Sequence, residues 1–74
     1  MKKIKTAVVG LGRIGWKYHI PAIINHPGFE LTAIADPLKE RLFEGMAEFL
    51  VRGYTDYSEL LEKEEIDLMV IASP

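Results

Sequence analysis

Residues 4–15 read IKTAVVGLGRIG, and this stretch decides the fold. Ile4 to Val9 is a short apolar run of strand type. It passes directly into Gly10, Gly12 and Gly15, the G-x-G-x-x-G spacing of a dinucleotide-binding strand-to-helix turn. Gly10 lets the chain turn sharply out of the strand. Gly12 leaves room for a pyrophosphate to approach the backbone, and Gly15 lets the next helix lie close to the sheet. That helix would aim its free N–H groups and the positive end of its dipole at the phosphates. With glycine near 7% of residues, such a spacing arises by chance in about 2% of chains this short. The motif alone is a weak sign. Its place after an apolar strand and before a helical pattern strengthens it.

After Gly15 the periodicity is helical. Ile14, Tyr18, Ala22 and Asn25 fall on one side, and Ile20, Ile23 and Ile24 on the next. Pro21 sits well inside this helix and should bend it. His26-Pro27-Gly28 ends it. Residues 30–35, ELTAIA, read as a second strand, with Asp36 at its carboxyl end. Asp36 stands 21 residues after Gly15, where a dinucleotide fold places the acid that binds the adenine ribose. Pro37 suits the first turn of a second helix. Leu38, Leu42, Met46, Phe49 and Leu50 would form that helix's buried face. Gly53-Tyr54-Thr55 is a short third strand. Asp56 and Glu59 form an aspartate version of a capping box before a third helix. Ile66 to Ala72, IDLMVIA, reads as a parallel strand covered on both sides.

The alternation of strands and helices predicts an α/β Rossmann-type fold in three layers. It is the first half of a doubly wound parallel sheet, with strand order 3-2-1-4. Seventy-four residues allow one small domain. There is no cysteine, hence no disulfide, thiolate metal site or thiol nucleophile. This fits a reducing, cytoplasmic setting. No stretch approaches the ~20 apolar residues of a membrane span. Residues 1–29 carry five Lys/Arg and no acid, whereas residues 30–74 carry four Lys/Arg and eleven Asp/Glu. The basic end coincides with the proposed phosphate site and favours an anionic ligand. Nucleic acid is a poor partner for a net charge of −2 with no basic stripe. His19 and His26 make no convincing metal pair, and the acidic run Glu62, Glu64, Glu65 reads as a solvated helix end.

VVGLGRIG at 8–15, YHIPAI at 18–23, LTAIADP at 31–37, YTDYSELL at 54–61 and IDLMVIASP at 66–74 follow in order across the whole chain. In these the chain resembles the N-terminal domain of the glucose–fructose oxidoreductase, myo-inositol dehydrogenase and MocA family. The resemblance implies an NAD(P)-dependent oxidoreductase acting on sugars, polyols and related small molecules. It implies that Gly10, Gly12, Arg13, Ile14 and Gly15 line the pyrophosphate, and that Asp36 holds the adenosine ribose. Ser73 and Pro74 would lie beside the cofactor where the fourth strand ends. The family continues with a further strand bearing Glu-Lys-Pro and a substrate domain with a catalytic histidine. Residues 1–74 would then be a partial cofactor domain, with the substrate domain and every catalytic residue elsewhere.

Asp36 argues for NAD over NADP, because its carboxylate would face the extra 2′-phosphate. Arg41, one turn into the second helix, could offset this by swinging over that phosphate. Two other readings share the same turn: a flavin-binding domain, and a sensing module that binds dinucleotide without turnover. The apolar fourth strand would be a sheet edge at this point of the chain and invites self-association or homo-oligomerisation.

Overall fold

The computed structural model describes residues 2–72. Four strands and three helices alternate: β1 (Ile4–Val9), α1 (Ile20–Asn25), β2 (Phe29–Ala35), α2 (Lys39–Phe49), β3 (Arg52–Tyr54), α3 (Tyr57–Lys63) and β4 (Leu68–Ile71). A wide helical turn, Gly15–His19, leads into α1. The strands form one parallel sheet in the order β3-β2-β1-β4. This is the order that right-handed crossovers predict.

Helices cover both faces of the sheet. On one face, Val8 and Ile34 pack with Leu11, Ile20, Ile23 and Leu42, backed by Trp16, Met46 and Phe49. On the other, Ala7, Ala33 and Ala35 meet Leu60 of α3. The small alanines let this short helix reach the sheet. Ile20, Ile34 and Leu60 have no exposed surface, and burying each is worth about 1.5–3 kcal/mol. Helix α2 presses just as closely on the first face. A Cβ on Gly45 would lie 2.7 Å from the Ile34 Cδ1 and 3.1 Å from the Leu11 Cδ1.

Several local expectations change. Pro21 does not kink a continuous α-helix. It stands in the first turn of α1, and the turn before it is wound wide, with the Ile20 N–H bonded to the Gly15 carbonyl five residues back. Proline has no N–H and its ring presses on the carbonyl four residues earlier; the wide turn removes that conflict. Pro37 precedes α2 rather than entering its first turn, because Leu38 is the N-cap. Leu38 is half exposed. Leu50 is the left-handed C-cap at φ 55° and is 87% exposed. The buried face of α2 is therefore Leu42, Gly45, Met46 and Phe49.

Strand β4 is shorter than its apolar run and is incompletely covered. Val70 packs on one face and Met69 on the other, but Leu68 and Ile71 remain exposed. Asp56 caps α3 by accepting from the Ser58 N–H at 2.9 Å. Glu59 does not complete the box; it pairs with Lys63 one turn on, at 3.1 Å.

The acidic run also divides. Glu64 is not solvated but buried, where it accepts from Arg52 Nε (2.5 Å), Arg52 Nη2 (2.8 Å) and the Tyr54 hydroxyl (2.6 Å). The Arg52 hydrogen bonds hold its carboxyl below the usual 4.5. The cluster ties the C-terminus of α3 to β3.

Candidate functional site

The site forms where β1 and β2 end side by side. Gly10 leaves β1 at φ 98°, a backbone conformation that disfavours any side chain. Its N–H bonds to the Ala35 carbonyl at 2.8 Å, which fixes the exit of β1 to the end of β2. Gly15 returns against it. A Cβ on Gly15 would sit 2.2 Å from the Gly10 carbonyl oxygen and 3.2 Å from the Ala72 Cβ. The helical turn can start this close to β1 only because position 15 has no side chain. Gly12 differs. The nearest heavy atom to a Cβ there is the Arg41 Nη1, at 3.8 Å. Two glycines close the turn, and the third leaves a space open.

Asp36 holds this turn in place. It is 3% exposed. Its Oδ2 accepts from the Leu11 N–H at 2.7 Å, and its Oδ1 accepts from the Leu38 N–H at 2.8 Å. One carboxylate thus joins the glycine turn to the start of α2. The Leu11 bond is buried, and a charge-assisted hydrogen bond of this type is worth about 1.5–3 kcal/mol. This clamp was not read from the sequence. An acid after β2 is equally a ribose ligand and a turn anchor, and only three-dimensional proximity separates the two roles.

Above the turn lies a cleft of about 500 Å³, lined by Gly10, Gly12, Arg13, Ile14, Asp36, Pro37, Leu38, Arg41 and Ala72. Its size falls within the usual ~300–1,000 Å³ of small-molecule sites. A second hollow of about 460 Å³ adjoins it across Gly12, lined by Leu11, Arg13, Trp16, Lys17, Arg41 and Glu44. The structure therefore brings Gly10, Gly12, Arg13, Ile14, Asp36 and Arg41 to one cleft, with Gly15 directly beneath. Ser73 and Pro74 lie outside the described residues, although Ala72 reaches the cleft wall. The histidines stand apart. His26 accepts from the Gly28 N–H at 2.9 Å and packs on Phe29, and neither histidine lines the cleft. Lys17 and Pro37 are wall residues that sequence reasoning left out; their places next to the glycine turn and to Asp36 were the available signal.

A turn with an open central glycine, at the carboxyl ends of two adjacent parallel strands, is where open α/β sheets bind ligands. A family model described as an oxidoreductase family with an NAD-binding Rossmann fold, GFO_IDH_MocA, matches residues 4–74. The chain belongs to this family. Among the family's relatives, scyllo-inositol 2-dehydrogenase (NAD(+)) of Bacillus subtilis strain 168 is 33% identical over 73 residues, covering 97% of this chain and 21% of that protein. The WlbA dehydrogenase of Bordetella pertussis, in complex with NADH and UDP-GlcNAcA, superposes with a TM-score of 0.92 at 36% identity, covering 99% of this chain and 22% of that one. KijD10, a 3-ketoreductase of Actinomadura kijaniata in complex with NADP and TDP-benzene, gives 0.82 at 29% identity, with 92% and 21% covered. The chain thus spans about a fifth of the relatives it matches, and its fold is their NAD-binding Rossmann domain.

Proposed function

We propose that this chain binds the cofactor for an NAD(P)-dependent oxidoreductase that moves hydride between nicotinamide and a sugar, polyol or related small molecule. The open space at Gly12, between the locked glycines and the Asp36 clamp, carries this reading. A pyrophosphate fits there without displacing a side chain. Gly10, Gly12 and Gly15 would present backbone to it, and Arg13 would approach its charge. Asp36 spends one lone pair of each oxygen on the backbone and keeps the others for ribose hydroxyls.

The nicotinamide would supply the hydride chemistry; these residues bind and orient. Asp36, the carboxylate among the described residues of the cleft, is tied to two backbone N–H groups and would hold ribose, so the catalytic acid or base would come from another part of the protein. Inositol dehydrogenases and a nucleotide-sugar dehydrogenase among the relatives favour polyhydroxylated substrates. Exposed Leu68 and Ile71 on β4 support further sheet pairing or self-association along that strand, and the cysteine-free composition supports a cytoplasmic setting.

The test is calorimetric titration of the complete protein with NAD and NADH, followed by absorbance at the nicotinamide band with a panel of inositols and sugars. We expect binding of both cofactors and reduction of NAD with at least one polyol or sugar. Failure to bind either cofactor would refute the reading.

A further inference from the structure

We propose that Glu64, acting through Tyr54, is a positioning residue for the Asp36 carboxylate, so that a cluster on the α3 face of the sheet sets how firmly the adenosine ribose is held. The inference rests on the dinucleotide reading above and deepens it.

Strand β3 has three residues and stands at the end of the sheet, paired with β2 at Ala33, Ile34 and Ala35. The backbone bonds of so short an edge strand hold it weakly. Side chains supply the rest. Arg52 and Tyr54 are two residues apart and so point to the same side. Both reach Glu64, Arg52 through Nε and Nη2 and Tyr54 through its hydroxyl at 2.6 Å. Glu64 is itself seated firmly. Its N–H bonds to the Leu60 carbonyl at 2.9 Å, and Leu60 is fully buried. The Glu64 side chain is only 4% exposed. Burying a charge costs desolvation that offsets much of the attraction it gains. What these three hydrogen bonds add beyond stability is a fixed place for the end of β3.

Tyr54 joins the two acids. Its side chain donates to Glu64, while its carbonyl accepts from the Asp36 N–H at 3.1 Å. Asp36 is the first residue beyond β2. Its carboxylate turns the other way, to the Leu11 and Leu38 N–H groups. Leu11 belongs to the core on the α2 face, and Tyr54 packs on the α3 face. The link therefore passes through the sheet at the Asp36 backbone. The lone pairs left for ribose point where that backbone sets them. A binding group must sit within about 0.5 Å of its productive place, so a loosened Tyr54 would be felt at the ribose.

The experiment measures dissociation constants at pH 7 with the complete protein and its Glu64→Gln and Tyr54→Phe variants. The ligands are NAD and an NAD analogue whose adenosine ribose lacks both hydroxyls. Tyr54→Phe keeps the ring and removes one hydroxyl, which provides a milder change should Glu64→Gln not fold. We expect Glu64→Gln to weaken NAD by about three- to tenfold, part of what a full hydrogen bond to a charged group carries. Tyr54→Phe should act in the same direction. The analogue should change by less than about twofold, because it offers Asp36 no hydroxyl. Amide exchange at Leu11 should quicken in both variants as Asp36 loosens. Equal losses for both ligands would show a purely structural cluster and overturn the proposal. NAD affinity constant within about twofold in both variants would overturn it too, while leaving the dinucleotide reading intact. Failure of the unmodified protein to bind NAD would overturn both.

Discussion

Replacing Asp36 with asparagine keeps the shape of the side chain and changes one atom's hydrogen-bonding role. The amide oxygen can still accept from either the Leu11 or the Leu38 N–H, but the amide nitrogen then faces the other donor. One charge-assisted bond is lost and one backbone N–H loses its partner. The Leu11 bond is the buried one, at 2.7 Å; the Leu38 bond is part-buried, at 2.8 Å. The oxygen should therefore stay with Leu11, and the Leu38 N–H should lose its acceptor, although the Leu11 bond also loses its charge assistance. The cost is about 2–3 kcal/mol. A domain of this size has a total stability of only about 4–11 kcal/mol, at ~0.05–0.15 kcal/mol per residue. Amide hydrogen exchange reads the effect locally. Exchange at Leu38 should speed up by about 30- to 150-fold, with a smaller rise at Leu11. Amides of β1 away from the turn should change less. Unaltered protection at both positions would refute the clamp.

Four further outcomes follow from the geometry. Gly15→Ala should destabilise strongly, because its Cβ meets the Gly10 carbonyl at 2.2 Å. Gly12→Val should leave thermal unfolding near the wild-type temperature and abolish NAD binding; a fold lost at Gly12 or kept at Gly15 would reverse the assignment. Glu64, held below the usual 4.5 by its Arg52 bonds, stabilises fully above that value and loses its contribution as the pH falls through its lower folded pKa. Urea midpoints of Glu64→Gln should lie below wild type at pH 7 and converge with it as the pH falls below the ordinary carboxylate range; parallel curves would contradict this. A polypeptide of these 74 residues alone should associate through β4, where Leu68 and Ile71 are exposed. Sedimentation showing a monomer at tens of micromolar, a range in which exposed edges commonly associate, would count against it.

Much of the fold was legible because local rules and tertiary packing agree. The bounds of β1 and the strand order follow from one apolar run, one glycine turn and the handedness of crossovers. Leu42, Met46 and Phe49 pack at the helical spacing that predicted them. Disagreement came where tertiary contact outranks pattern. Leu38 and Leu50 are apolar and in phase, but they cap α2 and so leave its buried face. Glu64 looks like part of a solvated acidic run, yet Arg52 and Tyr54 are brought to it by β3. Gly45 gave no signal at all, since its role depends on Ile34 and Leu11 arriving from two other elements. At the site, the residue types and spacing located the cleft; the direction in which Asp36 points could come only from the three-dimensional arrangement.

The wide turn at Gly15–His19 has a bearing on how this segment can change its length. An i→i+5 turn contains one residue more than an α-helix needs to cover the same rise. Deleting one residue between Trp16 and His19 would tighten the turn to ordinary winding, provided that Pro21 is replaced at the same time. Ile20 and Ile23 would keep their facing toward the sheet, and Gly15 would keep its seat against Gly10. The deletion alone would press the Pro21 ring onto the carbonyl four residues back, and the substitution relieves that clash.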